Sequence, residues 1–172
     1  GPSPIESVLL DGKNKTGVTI IKLDKEMDHG PILVQNAFTI DAETTAGTLE
    51  VTCGQLGGNL LVQALPVYLD GTLIQKEQDH SKATFCKKIT KEIGEIKLTD
   101  NAKNVRQKFR ALFPWPSLYF FIEHLGKNTR VKVTGVDLLV PIKNDEIAKN
   151  IITSVIPEGK KEMNFESFKL GY

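Results

Sequence analysis

Cysteine is scarce in this chain of 172 residues, Cys53 and Cys86 being the only two. Two thiols cannot build a disulfide framework, and neither sits at metal-ligand spacing, so both read as buried or incidental. Apolar runs are short: none approaches the roughly 18 residues needed to cross a bilayer. The opening Gly1-Pro2-Ser3-Pro4 carries no secretory pattern, so a cytoplasmic location is the expectation. Also absent are a Ser-centred nucleophile motif, a phosphate-binding glycine loop, a dinucleotide fingerprint and any Cys/His pairing. No internal repeat or low-complexity tract is visible. These absences exclude membrane-spanning, disulfide-stapled and zinc-ribbon classes and leave an ordinary globular protein, with no metal expected.

What is present begins with an uneven charge. The net charge is +1, yet residues 1–80 carry 5 Lys+Arg against 11 Asp+Glu, a net of −6, and residues 81–172 carry 17 against 10, a net of +7. Asymmetry between halves suggests two units with different partners, the basic one suited to a polyanion. A normal solvated surface accounts for composition alone equally well.

Ile5 to Leu10 form a short apolar segment that reads as the middle of a domain. After a turn at Asp11 to Lys15, the β-branched run Val18-Thr19-Ile20-Ile21 suits a strand, and Pro31 to Ile40 suits a second. Their tight connection favours antiparallel pairing. Helix-start residues at Asp41 to Thr45 precede apolar residues at helical spacing from Thr48 to Leu69, with Leu49, Leu56, Leu60 and Leu61 expected to face a sheet. Gly57-Gly58 marks close backbone packing, and Asp70-Gly71 ends the helix. Residues 75–100 are polar and read as a linker. A second helix is expected from Ala102 to Leu112, capped by Asp100 or Asn101. At about 100° per residue it gathers Val105, Phe109 and Leu112 on one side and Lys103, Arg106 and Arg110 on the other. Short strands at Leu118 to Ile122, Arg130 to Val136, Leu138 to Ile142 and Ile151 to Ile156 suggest a small barrel-like β domain.

Among residues able to do chemistry, Asp28 stands out by context. It lies in a loop fixed by a strand on each side, which can hold a side chain to the tolerance that proton transfer demands. By pattern alone such an aspartate is more often a turn-former. His29 reads as solvent-facing, and His80 and His124 have no partner nearby in sequence.

The strings around these residues resemble the folate-dependent formyltransferases. Gly1-Pro2-Ser3-Pro4-Ile5 matches the end of that family's Arg-Gly-x-x-Pro-Ile stretch. Thr16-Gly17-Val18-Thr19, Asp28-x-Gly30, Thr45 and Leu56-Gly57 fall where the family has them. Of the family's catalytic Asn, His and Asp, only the Asp lies within this chain, as Asp28. The resemblance implies that Asp24, Lys25, Glu26 and Met27 present backbone to the pterin ring of 10-formyltetrahydrofolate. In the second half, Ala83-Thr84-Phe85, Lys88-Ile89-x-Lys91-Glu92, Arg110-Ala111-x-x-Pro114-Trp115-Pro116, Pro157-Glu158-Gly159-Lys160-Lys161 and Phe168-x-x-Gly171-Tyr172 resemble the methionyl-tRNA branch. Ile96-Lys97-Leu98 departs from that branch's Ile-Asp-Trp, and the segment between Val136 and Ile151 is shorter than usual.

The resemblance implies an α+β chain: the C-terminal part of a Rossmann-like formyltransferase catalytic domain (1–80), a linker (81–100) and a small, reduced OB-like β-barrel domain (101–172). It implies formyl transfer to methionyl initiator tRNA, with Lys87, Lys88, Lys91, Lys103, Arg106, Arg110, Arg130, Lys132, Lys160 and Lys161 as phosphate contacts. Trp115 can stack on a base, but between two prolines it is expected in the core of the domain junction. A monomer is expected, inactive alone because the Asn-x-His segment falls outside the chain. The competing expectations are a relative acting on a sugar amine or hydrolysing formyl-folate, and an RNA-binding module without activity.

Overall fold

A proline at the first helical positions and Glu6 in the first turn start α1 (Pro4–Leu10), because proline's missing N–H is no loss there and an acid suits the helix dipole. The computed structural model describes residues 1–124 and 126–172. After α1 come β1 (Lys15–Ile21) and β2 (Ile32–Thr39), an antiparallel pair running from Lys15 opposite Thr39 to Ile21 opposite Ile32, with a register shift between Ile20 and Ile21. Thr45 then caps α2 (Ala46–Leu69): the amides of Thr45 and Thr48 each donate to the other residue's hydroxyl, a reciprocal cap.

Ala46, Leu49, Leu60 and Ala64 are the buried stripe of α2. Leu61, expected on the sheet face, is 46% exposed instead. At 24 residues α2 is about 36 Å long, whereas strands of 7 and 8 residues reach at most about 27 Å. The helix outruns its sheet, and Val62 and Leu69 near its end are also exposed. Gly57 lies against Val18, where an added Cβ would meet Cγ1 at 3.4 Å; Gly58, expected to share that close packing, faces open space.

Residues 75–100 hold two short 3-10 turns (His80–Lys82 and Glu92–Gly94). The stretch is docked rather than free: Ile89 and Ile96 are buried, and the Ile96 amide donates to the Tyr119 carbonyl at 2.9 Å.

Helix α3 (Ala102–Leu112) is capped by the Asn101 side chain. Its apolar face, Val105, Phe109 and Leu112, is buried in one continuous core with Leu9 of α1, Leu49 of α2 and Phe120 and Val131 from the second sheet. The polar side grips the first half. Arg110 donates from Nε to the Thr44 carbonyl at 2.9 Å and from Nη2 to the Asp41 carbonyl at 2.7 Å. Gln107 donates to the Leu10 carbonyl.

The second sheet runs β3 (Leu118–His124), β4 (Lys127–Val136), β5 (Ile152–Pro157) and β6 (Met163–Asn164), antiparallel throughout and in sequence order. It is an open four-stranded sheet and, among the described residues, does not close into the expected barrel. Closure needs strands long enough to tilt and stagger around an axis, and β6 has two residues. The strand expected at Leu138 to Ile142 does not form, because the Asp137 carboxylate takes the Leu139 and Val140 amides at 2.9 Å each and turns the chain. Helix α4 (Phe165–Gly171), capped by Asn164, was not evident from periodicity; it lays Phe165 and Phe168 edge-on to Phe120.

Removing the grip of α3 tests its weight. Arg110→Met keeps the stem and leaves two carbonyls without donors, so it should cost about 1–3 kcal/mol. Phe109→Ala should cost about 3–5 kcal/mol, and Lys103→Met on the exposed side less than about 0.5 kcal/mol. Urea midpoints at constant slope measure all three.

Candidate functional site

The loop between β1 and β2 is built by its own backbone requirements. Gly30 is buried, and a Cβ there would lie 1.8 Å from the Lys22 carbonyl oxygen, so only glycine closes the hairpin base. Asp28 sits at φ 57°, in the left-handed region that aspartate and asparagine adopt more readily than other side chains. Such a conformation persists only where the surroundings over-determine it. They do so here. Gln78 donates from Nε2 to the Asp28 carbonyl at 2.9 Å and to the Gly30 carbonyl at 2.7 Å. Two residues earlier, Lys76 exchanges both backbone hydrogen bonds with Ile32. The segment expected to be linker is a strap across the Asp28 loop.

Asp24 serves the loop rather than the cleft. Its Oδ1 accepts the Glu26 amide at 2.8 Å, and its Oδ2 pairs with His29 Nδ1 at 2.7 Å. His29, expected to face solvent alone, is stacked on His80 with ring centroids 3.7 Å apart and planes 4° off parallel. The bond to Asp24, supported by the charge of Glu26, raises the His29 imidazole above its ordinary 6.5. The same bond lowers Asp24 below its ordinary 3.8. Lys25, Glu26 and Met27 are exposed along the rim.

The Asp28 carboxylate is 73% exposed, with the Gly1 nitrogen 3.8 Å from Oδ2. It opens on a cleft of about 660 Å³ lined also by Met27, His29, His80, Lys82 and Phe85. Gln78, His80 and Phe85 reach this cleft from outside the motif-bearing hairpin, and no periodicity in their polar segment announced them. An exposed carboxylate at this position is able to accept a proton.

The basic residues divide. Arg106 and Arg110, expected to form a stripe with Lys103, are tied to carbonyls of Val140 in one case and of Asp41 and Thr44 in the other; Lys103 is exposed. Lys87 gives its carbonyl to the Ser3 hydroxyl, and Lys88 beside it is exposed. Lys91, Arg130 and Lys132 come together in a groove of about 340 Å³ on the second sheet, with Glu158 and Gly159 of the turn that leads to Lys160 and Lys161. Trp115 lines the same groove. Expected in the core, it is 56% exposed, because the flanking prolines leave the chain at the end of α3 on the surface while Phe113 packs beside Phe109.

Comparison with known proteins places this geometry. Residues 1–65 match the family model described as formyl transferase, and residues 88–172 match that of the formyl transferase C-terminal domain. The chain belongs to the formyl transferase family. It is 31% identical to a methionyl-tRNA formyltransferase of Nitratidesulfovibrio vulgaris over 100% of its own length and 58% of that protein's. It is 35% identical to the methionyl-tRNA formyltransferase of Lactobacillus johnsonii over 99% of its length and 59% of the relative's. The chain thus spans somewhat over half of these curated relatives. Its fold also matches HypX from Aquifex aeolicus in complex with tetrahydrofolic acid, with TM-score 0.68, 14% identity, and coverage of 98% of this chain and 32% of that one.

The Asp24–His29 pair makes the loop pH-dependent in a defined window. His29 is raised, so its contribution is whole below pH 6.5 and is lost as pH climbs through the raised value. Asp24 is lowered, so its contribution is whole above pH 3.8 and is lost as pH falls beneath that. Imidazole resonances followed by NMR should show His29 titrating above 6.5 and returning to about that value in Asp24→Asn. An unchanged titration in the variant would remove the pair as the cause.

Proposed function

We propose that the complete protein transfers a formyl group from 10-formyltetrahydrofolate to the amino group of methionine on initiator tRNA, and that this chain supplies the proton-handling carboxylate and the tRNA-holding surface. The observation that carries the reading is Asp28, held at φ 57° by the Gln78 strap and presented to an open cleft in a chain of this family.

A cleft of about 660 Å³ is within the range that takes a folate-sized ligand. Its lining suits one: exposed Met27 and Phe85 offer apolar faces to a ring, and the loop backbone at Glu26 and Met27 offers polar edges. The donor, when bound, supplies a formyl carbon activated by the amine that leaves it. The rest falls to protein groups. The attacking amine must lose a proton, and the oxygen of the formyl carbon must be stabilised as charge grows on it. Asp28 takes the first task, accepting the amine proton directly or through a water, and its charge would favour the cationic form of a histidine placed beside it to donate to the oxyanion. The Asn and His that the family uses as oxyanion donors have no counterpart among the residues described, and Gly1 lines the cleft beside Asp28. The net +7 of residues 81–172 suits the phosphate backbone, where lysine and arginine contacts position an RNA without reading its sequence. The same basic half favours tRNA over a sugar amine.

Asp28→Asn in the complete protein tests the assignment. Asparagine tolerates the same positive φ, so the fold should hold. Formyl transfer to methionyl-tRNA should fall at least about a hundredfold, with tRNA affinity within twofold of the parent. Transfer surviving within about threefold would return Asp28 to the role of a turn-former.

A further inference from the structure

We propose that the groove on the outer face of the second sheet seats one unpaired RNA nucleotide, its base stacked on Trp115 and its phosphate held by Lys91, Arg130 and Lys132. The proposal deepens the tRNA reading and rests on it for the identity of the RNA, while its chemistry comes from the groove.

Five observations converge there. Trp115 is the only tryptophan of the chain and is 56% exposed, which leaves an indole face open to a ligand. Pro114 and Pro116 on either side restrict its backbone, so a ring presented there loses little freedom on binding. Arg130 and Lys132 alternate along β4 with the buried Val131 and Val133, which puts both cations on the outer face. Arg130 is held in place before any ligand arrives, its Cζ lying 3.8 Å above the centroid of the Tyr119 ring. Lys91 reaches the same groove from the segment before α3.

An aromatic platform beside three cations is the chemistry of single-stranded nucleic acid, in which an unstacked base offers its face and the backbone its charge. A duplex buries its base faces and presents only phosphate, so it makes half of these contacts. Glu158 is the one carboxylate among the described residues lining the groove. It opposes an anion, and its removal should tighten binding.

The single tryptophan makes the test direct. A single-stranded tetraribonucleotide titrated into the chain should quench Trp115 emission saturably, and a blunt-ended RNA duplex should not. Trp115→Ala should weaken tetranucleotide binding roughly tenfold, while Trp115→Phe keeps most of it. Lys132→Gln should reduce the slope of log affinity against log salt by about 0.7, and Glu158→Gln should raise affinity. Labelled initiator tRNA followed by anisotropy separates this proposal from the broader one. If tRNA binds with unchanged Trp115 emission and equal affinity for Trp115→Ala, the nucleotide seat is overturned and the tRNA reading stands. If the tetranucleotide quenches but tRNA does not bind, the seat stands and the tRNA reading falls. Equal quenching by duplex and single strand overturns the seat, and absence of both binding events overturns both. Circular dichroism of the two Trp115 variants controls for folding.

Discussion

The docking of α3 against the start of the chain is the constraint on which the rest depends. A two-stranded sheet such as β1–β2 is at best marginal by itself in water. Here it is backed by α2, and α2 is placed by what holds its entry. Arg110 binds the carbonyls of Asp41 and Thr44, immediately before the Thr45 cap. Fixing those carbonyls fixes the end of β2 and the beginning of α2 together. Three residues after α3 ends, Trp115 marks the edge of the basic groove. One short amphipathic helix thus ties the hairpin that carries Asp28 to the sheet that carries the cations.

Within the hairpin, two carboxylates four residues apart have different duties, set by their partners. Asp24 has both oxygens committed, one to the Glu26 amide and one to His29. It shapes the loop and has little left for a ligand. Asp28 has its carbonyl committed to Gln78 while its carboxylate remains exposed to the cleft. With its backbone held and its side chain exposed, Asp28 keeps its carboxylate free to meet a ligand in the cleft. The histidine stack beneath completes the platform from the strap side.

How much of this was legible in the chain follows from which forces are local. The hairpin, α2 and α3 were readable because caps at Thr45 and Asn101, β-branched runs and helical spacing act within a few residues. The strap at Lys76 to His80 was not, since its partners Ile32, Asp28 and His29 lie about fifty residues away and its own residues have no periodicity. The expected strand at Leu138 to Ile142 failed for a reason that composition conceals: its apolar residues suit a strand, yet one Asp137 carboxylate outcompetes the ladder for two amides. Asp28 stood out by its place in a loop between two strands, with its proposed role coming from the resemblance to a family, and Trp115 was misplaced because flanking prolines signal a rigid turn without saying which side of it faces water.

The charge division between halves also takes its meaning from the structure. If the acidic first half and basic second half neutralised one another, ion pairs would cross the interface. Among the described residues, the ion pairs between side chains are local: Asp24 with His29, Asp79 with Lys82 and Glu166 with Lys169. None joins residues 101–172 to residues 1–80. Arg110, the arginine of α3 that reaches the first half, binds the neutral carbonyls of Asp41 and Thr44. Fusing the halves through apolar burial and carbonyl contacts keeps both fields intact. The second half therefore retains a positive potential able to attract a polyanion from a distance, strongest at low salt and screened within about 10 Å at 0.1 M. Lys91, Arg130 and Lys132 of the groove lie within that field.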